Sequence, residues 1–427
     1  MSLMLRYGIA ACIRCLLINS RYMQAISDRI EISTPLNSWK RILEGTHLYD
    51  LGVDPYDGDL FHESPLILVT FYFLLKYIPR LLPFIFIGID LLTAFILSKT
   101  AELFMLELGE RQRKNKTLFA EDVLNKLLIS DRQLKIIPIY VATSCLFNPY
   151  LILSCAGMAT TVLANLFIAL TFYGMMSGSR MITCFNLALA SVQSLYPVML
   201  LFPVVIYLGQ KSSGKSSMIR TVQVYFLCLV GLLYISSLLG GSWKFIESTY
   251  GFILNVPDLR PNIGLFWYFF TEMFEHFRPL FICAFQINAT FLYLVPLSLR
   301  LREEPLLLAT SLMALTAIFK SYPSLGDVGF YLSLLPMWKH LFNHMQQGFI
   351  VGCFFFVTSV LGPTVWHLWI YSKSANANFF FGVTLAFATA QIFLVTDILF
   401  AYIKREYSLK NGLKRQLKGK PAKLALE

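Results

Sequence analysis

VVIYLGQKSSGKSSMIRTVQVYFLCLVGLLYISSLLGG, residues 204–241, admits two readings that lead to different folds. Its centre, GQKSSGKSS from Gly209 to Ser217, fits G-x-x-x-x-G-K-[ST], the loop whose backbone N–H groups wrap nucleotide phosphates. That loop needs a strand before it, a helix after it and a carboxylate for Mg²⁺, all within an α/β domain. Here VVIYL closes an apolar run that begins at Met181. The segment after the motif, 222–241, is apolar on every face, as a membrane span is. No apolar strand ending in Asp follows. Lys211, Lys215 and Arg220 fit a short cytosolic loop between two spans. The stretch therefore excludes a phosphate loop and predicts a helical membrane protein.

The rest of the chain agrees. Of its 427 residues 56% are hydrophobic, 15% aromatic and 14% charged, against roughly 25% charged in soluble domains. Mean hydropathy is +0.61. A dozen apolar runs, cut by Pro79, Pro83, Pro197, Pro203, Pro296 and Pro336, predict an all-α polytopic transmembrane bundle of about 11–12 spans with kinked or re-entrant segments. Residues 1–403 form the membrane domain and 404–427 a basic cytosolic tail, in which Lys404–Lys423 holds eight Lys/Arg and one Glu. The net charge of +11 reflects this loop asymmetry, so no nucleic-acid partner is expected. The first residues read as an uncleaved span rather than a cleaved leader. Residues 20–63, with eight acidic and four basic residues between Arg21 and Glu63, and residues 243–262 are expected as luminal loops. The former carries an amphipathic helix that Gly45 closes. The loop 105–135 is placed in the cytosol, which requires a re-entrant turn within 65–83.

Cysteine chemistry is not indicated. All eight cysteines lie in apolar runs, and the Cys12-Ile-Arg-Cys15 pair has no second pair or nearby His. No cofactor and no metal are expected.

The densest polar segment is VPDLRPNIGLFWYFFTEMFEHFRPLF, residues 256–281. Asp258 occupies a proline-bounded turn. Phe266, Trp267 and Tyr268 precede Glu272, Glu275 and His276, which a continuous helix would place on one face. Three readings are open: half of a zinc site lacking its first His, a polar rim for a glycolipid headgroup with rings stacking on sugars, and an interfacial aromatic belt. Lys320, Tyr322 and Asp327 lie in or beside SYPSLG, a break between two apolar runs where non-helical backbone usually lines a cavity. Asp90, Gln286, Asn288 and Asp397 are further intramembrane polar residues, each either a site or a helix–helix contact. Asp57-Gly58-Asp59 is a DxD in a turn, the kind of acid pair that sugar transferases use.

Several of these stretches share one resemblance. NVPDLRPNIGLFWYFFTEMFEHF, AIFKSYPSLGDVGFY, VWHLWIYSKSANANFFF, SVQSLYPV, LGVDPYDGDLFHESPL and TPLNSWKRILEG resemble the PIG-U family, membrane subunits of glycosylphosphatidylinositol (GPI) transamidase, over about residues 26–410. The resemblance implies a multi-pass endoplasmic-reticulum protein working with other transamidase subunits, among them a caspase-like one that carries the thiol nucleophile. It implies a non-catalytic role in binding the GPI glycolipid and holding the complex together. It also implies a GT-C-like fold, through distant kinship with GPI mannosyltransferases. Their DxD lies soon after the first span, where this chain reads Asp28-Arg29-Ile30-Glu31. The broken pattern disfavours a transferase, the alternative in which Asp57 and Asp59 would act. On the main reading the GPI-binding candidates are Asp258, Phe266, Trp267, Tyr268, Glu272, Glu275, His276, Lys320, Tyr322 and Asp327. A pure scaffold is the third reading.

Overall fold

The computed structural model describes residues 2–124, 126–212, 214–413, 416–417 and 420–421. It is helical almost throughout, apart from a two-residue hairpin pairing Gln416–Leu417 with Lys420–Pro421. The end of the basic tail, 422–427, lies outside the described residues.

Five helices are long and apolar enough to cross a membrane: Pro79–Lys114, Lys215–Gly240, Arg278–Arg300, Gly348–Ile370 and Ala377–Asn411. A sixth candidate is the pair Asp131–Phe147 and Pro149–Ala156, bent by 47°. The remaining apolar runs form shorter helices such as Pro65–Tyr77, Thr161–Ser177 and Pro305–Phe319. The difference from eleven or twelve spans has a local cause. Pro149 begins a new helix inside the 136–155 run, where its missing N–H costs nothing, and several other runs form helices of 10–17 residues. Within 65–83 the chain makes a 3₁₀ turn, Pro79–Leu81, between two helices.

The opening stretch folds as expected. Helix Leu201–Lys211 leads through Gly214 directly into helix Lys215–Gly240, so helix precedes the motif where a phosphate loop requires a strand. Gly45 departs from expectation. Helix Trp39–Asp50 runs through it, and a side chain there would sit 2.3 Å from the Phe61 ring. The glycine serves close packing and does not end the helix.

The chain divides into two compact units. The first comprises residues 1–97 and 143–333. One core gathers Trp39, Phe71 and Phe86, whose rings meet edge-on or stacked. A second gathers Phe252, Val256, Phe266, Phe270, Ile282 and Tyr322. Thr161–Ser177 and Arg180–Gln193 form a tight helical hairpin around Gly178, which takes the left-handed conformation (φ 79°) that ends the first helix.

The second unit comprises residues 98–142 and 334–427. Gly348–Ile370 packs along Ala377–Asn411. At one end of the unit the Ala120 N–H donates to the Leu409 carbonyl (3.0 Å), and Leu413 N–H donates to Asp122 (2.7 Å). Arg405 reaches the Leu127 carbonyl (3.2 Å). The 115–127 loop and the start of the basic tail therefore share one side.

Candidate functional site

The intramembrane polar residues are closed on one another. Arg14, which sits inside the Cys12–Cys15 pair, is fully buried and lies 2.5 Å from Asp90, itself 4% exposed. It also donates to the Ala10 and Leu146 carbonyls (3.2 and 2.9 Å). Asp397 accepts the N–H groups of Gln346 and Gln347 (both 2.9 Å) and so holds the two residues that lead into helix Gly348–Ile370. Gln286 donates to the Ile253 carbonyl (2.7 Å) and accepts from Tyr196 (3.0 Å). Buried polar groups need such partners, and these residues have them.

Lys320 and Asp327 are brought together as the break at SYPSLG suggests. Their side chains pair at 2.6 Å, and Asp327 also accepts from Ser324 N–H and Oγ (both 2.8 Å). Lys320 is therefore already neutralised rather than a free cation. With Tyr322, Asn37, Thr160 and Gln193 the pair lines a small cavity of about 70 Å³ whose remaining walls are largely apolar.

The aromatic and acidic segment divides. Phe266 and Trp267 are buried, and Phe266 belongs to the second core. Tyr268 is half-buried edge-on to Trp267. These rings are packing, not a platform facing solvent. Helix Phe266–Glu272 stops before Met273, whose backbone is extended (ψ 140°), and a separate turn carries Glu275–Phe277. The shared helical face expected for Glu272, Glu275 and His276 is therefore not made, although all three are exposed. Among the described residues no three His, Cys, Asp or Glu side chains are grouped to hold a metal.

Asp258 belongs to a different place. Its backbone N–H donates to the Tyr322 hydroxyl (3.2 Å), which donates to the Asp258 carbonyl (3.0 Å). Its carboxylate pairs with Arg41 at 3.2 Å. Arg41, on helix Trp39–Asp50, thereby holds the stretch 244–260, which with 57–62 encloses an open bowl of about 840 Å³. Lys244 pairs with Asp57 (2.5 Å), and Arg41 also donates to the Leu60 carbonyl (3.0 Å). His62 Nδ1 lies 2.8 Å from the Ser248 carbonyl, with its ring stacked on Phe252 at 3.6 Å. Burial pushes the His62 pKa down to about 4 against the pull of that carbonyl, so the ring is neutral. Glu247 opens a π-helical turn on the opposite wall, a conformation frequent at functional sites. Next to it Val256 holds φ 48°, rare for a β-branched residue, where helix Phe252–Asn255 ends.

Behind the bowl Glu63 is buried and accepts from the Thr160 hydroxyl. Its other carboxylate oxygen has no partner. Burial raises its pKa to about 8, outweighing the Thr160 and Gln193 contacts that favour ionisation.

Reading the sequence placed Asp57 and Asp59 in an ordinary exposed turn and passed over Arg41, His62, Glu63, Lys244 and Glu247. The one local signal was the polar run DLFHES immediately before an apolar helix, and the partner loop is nearly two hundred residues away.

The comparisons with known proteins cover almost the whole chain. The family model described as GPI transamidase subunit PIG-U matches residues 8–387. The GPI-anchor transamidase component PIGU of Homo sapiens is 42% identical over 416 residues, 95% of this chain and 94% of the relative. The GPI transamidase component GAB1 of Saccharomyces cerevisiae is 29% identical over 403 residues, 93% of each. The GAB1 homolog of Schizosaccharomyces pombe is 31% identical over 391 residues, 91% of this chain and 90% of the relative. The chain belongs to the PIG-U family.

Proposed function

We propose that this member of the PIG-U family is a non-catalytic subunit of GPI transamidase that binds and presents the GPI lipid and stabilises the complex in the endoplasmic-reticulum membrane. The observation that carries the reading is the likeness to transamidase components over nine-tenths or more of both lengths. The multi-pass bundle agrees with it. On this reading 20–63 and 243–262 are luminal, the basic tail is cytosolic, and the thiol nucleophile belongs to a partner subunit.

The exposed Glu272, Glu275 and His276 are the candidates open to a headgroup, while Asp258 is held by Arg41 and orders the loop beside them. Phe266 and Tyr322 belong to the core beneath this segment. The transferase alternative is weaker. Asp57 is engaged by Lys244, and Glu31, where the broken DxD lies, is held by Arg29 through two contacts of 2.6 and 3.0 Å.

The test is the lipid profile of cells lacking this protein. Accumulation of complete GPI, with its mannoses and phosphoethanolamine, places the block at attachment and is the expected result. Accumulation of an under-mannosylated intermediate overturns the reading in favour of a sugar transferase.

A further inference from the structure

Most polar side chains within the spans are answered locally. On the least buried span, Gly348–Ile370, Thr358, Ser359 and Thr364 each donate to a carbonyl one turn back (2.6, 2.6 and 2.7 Å). In Ala377–Asn411 Gln391 donates to the Phe387 carbonyl (3.3 Å). Asn288 differs. Neither polar atom of its amide meets a hydrogen-bond partner among the described residues. It is the eleventh of the 23 residues of span Arg278–Arg300, most of which is unburied. A rise of 1.5 Å per residue puts it about 15 Å from the nearer end, too deep for so short a side chain to reach water. Its half-buried amide therefore leaves two N–H donors and a carbonyl acceptor unmet in the hydrocarbon. That costs free energy, and intramembrane polar groups left in this way mark contacts.

The inward side of the helix is formed by Ile282, Gln286, Ala289 and Leu294, which are buried. The edge carrying Asn288 runs through Ala284, Ile287, Phe291 and Leu292, all exposed. Ala284 lies one turn before the amide, and a small residue there lets another helix approach closely. A π-helical turn, Asn288–Leu292, begins at the amide itself, a distortion frequent at functional sites. Asn288-Ala-Thr has the form of a glycan acceptor, but the depth excludes a glycan. Acyl chains carry no donor or acceptor and cannot satisfy the amide. A helix bearing Asn, Gln, Ser or Thr at the same depth can.

We propose that this edge of Arg278–Arg300 docks a membrane-spanning helix of another subunit, with Asn288 hydrogen-bonded to an amide or hydroxyl side chain at mid-depth. That another subunit supplies the helix rests on the subunit reading above; the need for a polar partner does not.

The experiment uses the complex assembled in cells, with the photo-crosslinking residue p-benzoylphenylalanine in place of Phe291, which leaves Asn288 intact. The expected result is an adduct to another subunit, mapped by mass spectrometry to a span with Asn, Gln, Ser or Thr at the contact. In mild detergent Asn288→Leu is expected to lower retention of that subunit on dilution about three- to tenfold, the scale of one interhelical hydrogen bond. The melting temperature of the isolated full chain does not fall, and Asn288→Gln, which keeps the amide, restores most of the retention. An adduct to lipid alone, an adduct to a second copy of this chain, a contacted span without a polar side chain, or unchanged retention in Asn288→Leu overturns the proposal. A lower melting temperature in Asn288→Leu also overturns it, because the amide would then be satisfied within the chain. Failure here is distinct from failure of the subunit reading: an under-mannosylated lipid profile removes that reading, whereas accumulation of complete GPI without the adduct removes the docking edge alone.

Discussion

Two sets of charges in the first unit contrast. The Arg14–Asp90 and Lys320–Asp327 pairs lie in or beside apolar helices, and each cation meets its acid within 2.6 Å. The bowl lies between loops, and two of its carboxylates are left over. Where water is excluded, an unpaired charge costs several kcal/mol, so the chain must satisfy it internally. Where water enters, a charge can remain open at little cost and be kept for a ligand. The degree of pairing, rather than the presence of charge, separates framework from site.

The contrast is broken most severely at its most buried point. Arg14→Ala strands Asp90 and is expected to cost about 3–5 kcal/mol, read as loss of folded protein and a lower melting temperature in detergent. Asp90→Ala behaves alike, and replacing both residues with apolar ones recovers most of the loss. Retention of stability in either single variant would remove the framework half of the comparison.

Asp397→Ala leaves the buried N–H groups of Gln346 and Gln347 without their acceptor. It is expected to cost about 1–3 kcal/mol and to raise proteolysis near residue 346.

Glu63 sharpens the comparison, since it is buried beneath the loops without a cation. Its folded pKa of about 8 stands above its ordinary 4.5, so between these values the folded state binds more proton than the unfolded. Its stability contribution is complete below about pH 4.5 and is lost as pH rises towards 8. Glu63→Gln is therefore expected to remove that decline, flattening the melting temperature between pH 5 and 8. His62, whose folded pKa of about 4 lies below its ordinary 6.5, has the opposite slope, with stability lost as pH falls from 6.5 towards 4. An unchanged pH profile in Glu63→Gln would show that the carboxyl is not held neutral.

Glu272→Ala has the smallest expected effect on stability, within about 0.5 kcal/mol, because the side chain is exposed. Reduced GPI attachment at normal assembly would assign it to the lipid. Failure through lost assembly would assign it to a partner contact.

Much of the framework was legible in the sequence. The apolar run following the phosphate-loop-like motif excluded a nucleotide fold by itself, because a span must be apolar all round whereas a strand–loop–helix unit need not be. The break at SYPSLG marked a place where side chains converge. The helical face at 272–276 was misread for a local reason. Spacing predicts a shared face only on an unbroken helix, and the chain turns extended at Met273. The aromatic run 266–270 carried no sign of which rings would be internal, since a membrane protein uses aromatic residues both in its core and at its surface.

The sequence by itself determined the class, the family and the multi-pass design, because hydropathy and long shared motifs are properties of the linear chain. Only the tertiary structure decided which charges are open. Pairing depends on loops far apart in sequence arriving at one place, as Arg41 meets Asp258 and His62 meets Ser248, and no local pattern encodes that encounter.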